Sequence, residues 1–90
     1  MKYSGQVRIY DTKGFLLTVG TIEVTDDEEQ ATWVGALSVI DGTGVAGKAL
    51  VVDLVMGDQK GRAQLIPESV KDGMAISRVI GLSAVGAIRE

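Results

Sequence analysis

Two apolar, β-branched segments on either side of a short polar loop define the first element of this fold. The first segment reads KALVVDLVM and the second RAQLI, and GDQKG lies between them, within residues 48–66. Such a pair, joined by a few residues that include glycine, is the strongest sequence signal for a β-hairpin. We expect the second strand to end at Pro67, because proline has no N–H to donate to a ladder.

Side chains alternate along a strand, so the first strand of this hairpin has two faces. One face is wholly apolar and is expected to lie in the core: Leu50, Val52, Leu54 and Met56. The other face is also apolar except at one position: Ala49, Val51, Asp53 and Val55. A solvent-facing surface fits this second face poorly. The strand is therefore either covered on both sides or contacts a partner chain through Val51 and Val55.

The size and the apolar content of the chain favour self-association. Residues 1–90 are expected to form a single domain, and a chain of this size buries somewhat more than about 60% of the surface exposed on unfolding. Apolar residues make up 46% of the sequence, and its mean hydropathy is +0.22. We expect a homo-oligomer or a protein partner to cover what the chain cannot bury. Trp33 is a further candidate for a core or interface anchor.

The composition disfavours several functional classes. The chain has no cysteine and no histidine, so it lacks the usual metal ligands, the usual thiol nucleophile and the usual acid–base group at neutral pH. A net charge of −3 and few aromatic residues argue against nucleic-acid binding. No leader and no apolar segment of about 20 residues is found, which argues against a membrane partner. We expect a soluble cytoplasmic protein that uses no metal or cofactor.

The N-terminal half of the chain reads as three further strands. Apolar and polar residues alternate over Tyr3–Tyr10, and a longer strand covers Phe15–Val24 after a turn at residues 11–14. We expect a bulge or corner at Gly20, because Val19 and Ile22 have opposite parity. Residues 31–40 form the next strand. Trp33, Leu37 and Val39 share one side of this strand with Gly35.

The acidic cluster DDEE at residues 26–29 has three interpretations. It is a solvated loop tip, or a helix start in which Thr25 and Glu28 form a capping box, or a cation site, which its spacing fits worst. After Pro67 we expect a polar loop up to Gly73, with room for one helical turn. A strand then runs from residue 74 to about Leu82 and is followed by a bend and a short strand, with a helix over residues 82–89 as the alternative.

The glycine-rich segment DGTGVAG covers residues 41–47. Such loops bind phosphate when they precede a helix, but this one leads into a strand-like segment, so we interpret it as a tight connection between strands. It partly resembles the D-x-S-x-x-G motif of the PilZ family, whose barrels bind cyclic dinucleotides, since Asp41 and Thr43 correspond to its first part. Ala46 occupies the glycine position and the paired arginines of the family are absent, so no ligand residue is transferred.

Two arginines in apolar surroundings are the candidate ligand-binding residues. Arg78 lies within AISRVIGL, and Arg62 opens a strand after a glycine. An arginine in such a place most often lies at the solvent face with its stem over its neighbours; less often it pairs with a buried acid such as Asp53 or binds an anion. No serine has a histidine base, and no spacing points to a serine–lysine pair, so enzymatic activity is not expected.

We therefore predict a mainly β protein: a small antiparallel barrel or strongly curved sheet of about six strands. The alternative is an α+β fold, with one helix after the acidic cluster and another at the C-terminus. The expected function is a non-catalytic interaction module that self-associates through apolar sheet faces. The alternative function is a sensor that binds a small anionic ligand, such as a nucleotide, through Arg62 or Arg78.

Overall fold

The computed structural model describes residues 2–27, 32–45, 47–83 and 86–87. These residues form seven strands and, within the described ranges, no helix. The strands are β1 (Lys2–Tyr10), β2 (Leu16–Asp27), β3 (Thr32–Ile40), β4 (Leu50–Met56), β5 (Gln59–Lys71), β6 (Met74–Gly81) and β7 (Gly86–Ala87). Strands β1–β6 pair antiparallel in the closed order β1-β2-β3-β6-β5-β4, with β4 again beside β1. The predicted six-stranded antiparallel barrel is confirmed.

The two helices of the alternative fold have different outcomes. Gly86 and Ala87 pair with Lys60 and Gln59 of β5 as a short strand, so a helix over residues 82–89 is wrong, and the predicted bend and short strand are confirmed. At the acidic cluster, Asp26 and Asp27 belong to β2 and pair with β3. Residues 28–31 lie outside the described ranges, so the capping box at Glu28 is not placed.

The barrel interior is filled by alternate side chains from all six strands. On β4, Val52, Leu54 and Met56 are at most 1% exposed and Leu50 packs against them, as the hairpin pattern predicts. On β3, the side that carries Trp33, Leu37 and Val39 faces inward, since these three side chains lie in the same cluster. Alternation therefore places one apolar face of each strand in a single core.

Both ends of the barrel are closed by the chain itself. Strands β3 and β4 are not neighbours, so the connection between them crosses one end, where the side chain of Val45 is fully buried. At the opposite end the indole Nε1 of Trp33 donates a hydrogen bond to the carbonyl oxygen of Ser83, 2.7 Å away. The Thr32 hydroxyl donates to the carbonyl of Gly81 at 2.6 Å. The glycine-rich segment, residues 41–47, belongs to the connection between β3 and β4 at the first of these ends, as the sequence interpretation expected.

The expected end of β5 at Pro67 is wrong, because this strand continues to Lys71. Strand β4 begins only at Leu50, which pairs with Leu65. The residues of β5 after Leu65 therefore pair with β6 on one side and with no described strand on the other. Proline is tolerated at such an edge or at a bulge, and the register shifts between Pro67 and Ser69. The expected polar loop over residues 68–73 is accordingly mostly strand.

The turn between β5 and β6 consists of Asp72 and Gly73 alone. Their φ angles are 54° and 77°, and positive φ at both central residues is the signature of a type I′ hairpin turn. Asp-Gly is a favoured pair for this turn. The structure therefore has a hairpin where the sequence interpretation placed a loop with a helical turn.

The bulge expected at Gly20 is also wrong. The β1–β2 register is unbroken from Thr18 to Thr25, and the shift lies at Leu17, between the Ile9–Thr18 and Tyr10–Leu16 pairs. Leu17 packs against the core, and the phase change leaves Val19 on the outside. At Gly20 the strand is instead approached by the carbonyl oxygen of Ser38, which leaves no room for a side chain.

Candidate functional site

Outward side chains form rows around the barrel wall, because residues paired across antiparallel strands point to the same side. One such row crosses five positions on five strands. In order from β5 to β1 it contains Ile66, Arg78, Ala36, Glu23 and Ser4. This row, called the central row below, passes over the two arrangements that make up the candidate site.

The first arrangement is a ridge on β6. Facing inward, this strand has only small or medium-sized residues, all buried: Ala75, Ser77, Val79 and Gly81. Facing outward it has larger ones, all at least partly exposed: Met74, Ile76, Arg78 and Ile80. The usual size order of a barrel strand is thus reversed. We call the outward side chains of Ile76, Arg78 and Ile80 the β6 ridge.

The second arrangement is a shallow groove over β1, β2 and β3, next to the ridge on β6. Its volume is about 430 Å³, and its walls include Ser4, Glu23, Thr25, Val34 and Ala36. Gly35 is also among the lining residues, and the carbonyl oxygen of Glu23 on β2 occupies the space that a Cβ atom at Gly35 would need. We call this depression the β3 groove.

Opposite charges lie on either side of Ala36 in the central row. Arg78 pairs with Ala36 from β6, and Glu23 pairs with it from β2, so about 10 Å of sheet separates the two charged residues. The Ser4 hydroxyl lies 3.5 Å from a carboxylate oxygen of Glu23. Arg78 forms no ion pair within the described part of the chain. Its guanidinium is therefore available on an otherwise apolar ridge.

Arg62, the other candidate arginine, pairs with Asp53. Its Nε donates to Oδ1 of the carboxylate at 2.8 Å and a terminal nitrogen donates to Oδ2 at 3.2 Å, a bidentate geometry. The hydrogen bonds from Arg62 hold the pKa of Asp53 below its usual value against the opposing effect of burial, and the positive charges of Arg62 and Lys60 act in the same direction. The pKa of Arg62 is raised in return. The pairing with Asp53 considered from the sequence is thus present.

The structure does not bring the two candidate arginines together. Both lie on the outer wall of the β5–β6 ribbon, but Arg78 pairs with Ile66, four positions along β5 from Arg62. Arg62 contributes to an ion pair and Arg78 to the ridge. Binding of a ligand by either residue stays a prediction.

The three candidate interface residues are exposed to very different extents. Val51 is 44% exposed, Val55 is 9% exposed and Trp33 is 4% exposed. Trp33 is a core residue at one barrel end. Val55 is on the outer wall but nearly covered, and it pairs with Arg8 of β1. Only Val51 therefore presents apolar surface, and the second face of β4 is a smaller surface than its sequence suggests.

Sequence reasoning missed the outer face of β6 and the role of Glu23 beside it. The signal was present, because AISRVIGL is apolar at both parities in the same way as the β4 segment. Which parity faces inward becomes clear only from the partner strands: Val79 pairs with the core-facing Gly35 and Leu65 positions.

The described residues were also compared with the pattern of a metal site. Within residues 2–27, 32–45, 47–83 and 86–87, no group of three or more acidic side chains is placed to hold a metal ion. No helix long and apolar enough to cross a bilayer occurs in these ranges. Comparisons with protein-family models, curated proteins and solved structures found no match.

Proposed function

We propose that this chain is a non-catalytic, cytoplasmic interaction module that associates with itself through the outer wall of its barrel. The observation that carries the proposal is the β6 ridge, where the large apolar residues of a strand point away from the core. In a monomer Ile76 and Ile80 stay partly exposed on this outer face. A partner on the outer wall gives them a buried position.

The wider surface supports the same proposal. Eight large apolar side chains in the described ranges are at least one-third exposed: Phe15, Leu16, Val19, Ile40, Val51, Ile66, Val70 and Leu82. Full burial of one such side chain contributes about 1.5–3 kcal/mol. Covering a few of them therefore offsets part of the free-energy cost of association. These exposed side chains therefore support the proposal of self-association.

Sedimentation equilibrium of the full chain tests the proposal. Over about 1–100 μM, the range in which modest interfaces assemble, we expect a mass above the 9.5 kDa of one chain, rising with concentration. A mass of one chain at every concentration would contradict it. Ile80→Lys should weaken association, whereas Val51→Lys tests the face of β4 and should have a smaller effect.

Binding of a small anionic compound is the second candidate function, and one observation favours it at Arg78. The guanidinium of Arg78 has no ion-pair partner within the described residues, whereas that of Arg62 is bonded to Asp53. A thermal-shift screen with nucleotides would detect such binding, and Arg78→Ala should abolish the shift while Arg8→Ala, a change at another exposed arginine, retains it. A shift that survives Arg78→Ala would contradict this candidate.

A further inference from the structure

We infer that self-association produces a twofold-symmetric dimer in which the β6 ridge of each copy lies in the β3 groove of the other. This inference rests on the proposed function and specifies its geometry. In the dimer the symmetry axis runs along β3, between the two copies, over Val34 and Ala36. Each surface then meets its own counterpart, as a closed dimer requires.

The order of residues around the wall makes this face self-complementary. The ridge lies on β6 and the groove lies over β1, β2 and β3, so Val34 and Ala36, on the outward face of β3, form the border between the two. Rotation by half a turn about an axis along β3 exchanges the two sides. Val34 pairs with Ile80 of β6 on one side and with Thr25 of β2 on the other. The rotation therefore places Ile80 of each copy opposite Thr25 of the other copy.

The charges in the central row follow the same exchange. Arg78 and Glu23 are the two neighbours of Ala36, so the rotation places Arg78 of each copy opposite Glu23 of the other. Two reciprocal ion pairs result, and the small side chain of Ala36 on the axis permits close approach. A partner of another kind would have to supply both an acid for Arg78 and a base for Glu23. A second copy does so by symmetry, which is why we assign it as the occupant.

Charge reversal tests the reciprocal pairing. In a dimer of Arg78→Glu, both pairs become carboxylate against carboxylate, and in a dimer of Glu23→Arg both become cation against cation. Each variant alone should therefore dissociate at least about tenfold more readily than the wild type, because like charges in contact oppose assembly. In an equimolar mixture of the two variants both pairs are again opposite in charge, so a heterodimer should form.

The measurement is sedimentation equilibrium of each variant alone and of the mixture, with one variant carrying a fluorescent label. Arg8→Glu is the matched control, because Arg8 is exposed on the wall between Val19 and Val55, outside the central row. It should leave the dimer intact. Far-UV circular dichroism confirms the fold of each variant, and the double variant Arg78→Glu/Glu23→Arg should dimerise without a partner even if one single variant folds poorly.

The outcomes separate this inference from the proposed function. A wild-type chain that stays monomeric overturns both. A wild-type dimer whose single variants remain dimeric overturns the assigned face and leaves self-association standing. Single variants that dissociate, together with a mixture and a double variant that remain monomeric, overturn the reciprocal pairing. Dissociation of both single variants with recovery in the mixture supports the twofold dimer.

Discussion

The hydroxyl of Ser77 is the least satisfied polar group in the described core. Ser77 is 1% exposed, and its Oγ has no hydrogen-bond partner. A buried hydroxyl without a partner costs about 1–3 kcal/mol, so Ser77→Ala should raise the free energy of unfolding by about 1 kcal/mol, or leave it unchanged if the small cavity offsets the gain.

Urea titration measures the effect, and the neighbouring inward position provides the matched control. Ala75 is 2% exposed on the same strand, so Ala75→Ser adds a hydroxyl to the same interior and should destabilise the barrel. A loss of more than about 1 kcal/mol in Ser77→Ala would contradict the prediction and indicate that the hydroxyl is bonded in solution.

The ion pair of Asp53 and Arg62 makes part of the stability depend on pH. The guanidinium holds the pKa of Asp53 below its usual value of 3.8. A pKa that is lower in the folded state contributes stability that is complete above the unfolded value and is lost as pH falls through the folded value. Asp53→Asn should therefore lower stability at pH 7, and its difference from the wild type should shrink below about pH 4.

The measurement is the free energy of unfolding of both proteins between about pH 7 and pH 2. Glu68→Gln serves as the control, because Glu68 is exposed on the free edge of β5 and forms no ion pair with another described residue. A difference between Asp53→Asn and the wild type that stays constant down to the lowest pH would contradict the linkage.

Among the strands, local patterns predicted the pairing but not the edges or the outer faces. The hairpin of β4 and β5 followed from two β-branched segments and a glycine turn, which are properties of adjacent residues. The continuation of β5 past Pro67 could not be predicted this way, because it depends on where β4 stops. The Asp72-Gly73 turn was readable from its dipeptide, and the assumed end at Pro67 concealed it.

The outer faces show the same limit. Periodicity identified β4 as a two-sided apolar strand and missed β6, because the exposure of an outer face depends on the neighbouring strands. On β4, Asp53 is covered by Arg62 and Val55 is nearly buried, whereas the outward isoleucines of β6 remain partly exposed. Those contacts join residues distant in sequence, so a single strand does not reveal them.

Close approach of β2 and β3 explains why Gly35 interrupts an otherwise β-branched strand. A Cβ atom at Gly35 would collide with the carbonyl oxygen of Glu23 and with Val24, and backbone cannot move aside as a flexible side chain can. Gly35→Ala should therefore lower the free energy of unfolding by about 3 kcal/mol, at the upper end of the usual cost of overpacking.

Gly86→Ala is the matched control in the urea titration. Gly86 also lies in a strand, but no atom of the described residues lies within 4 Å of the position of its Cβ, so the change should be close to neutral. Equal effects of the two substitutions would mean that the loss at Gly35 reflects a general preference for glycine in strands rather than this contact.

The barrel as a whole depends on contacts between distant parts of the chain. Most of its contacts join residues far apart in the sequence, as expected when β1 pairs with β4 and β3 with β6. The closed antiparallel sheet could be predicted from the number of strands and the short turns between them. The self-complementary wall could not, because it combines residues from β2, β3 and β6 that no local pattern connects.

One continuous core from end to end implies that the two closed ends unfold together. Val45 closes the end crossed by the β3–β4 connection and Trp33 closes the other, and both belong to the same buried cluster. Val45→Ala should lower the free energy of unfolding by about 2 kcal/mol, because it removes buried methyl groups and leaves a cavity. At a concentration where the chain is monomeric, Trp33 fluorescence and far-UV circular dichroism should shift to lower urea by the same amount.

Val70→Ala is the corresponding control, because Val70 is 58% exposed and its truncation should change the midpoint little. The comparison of the two probes distinguishes a cooperative barrel from one that frays at its ends. If Val45→Ala lowers the circular dichroism midpoint while the Trp33 midpoint stays at its wild-type value, the crossing connection unfolds independently, and the ridge and groove would then belong to a wall with separable ends. Coincident shifts mean that the wall carrying the proposed dimer face is held by the whole core, so substitutions inside the barrel should weaken assembly only by unfolding it.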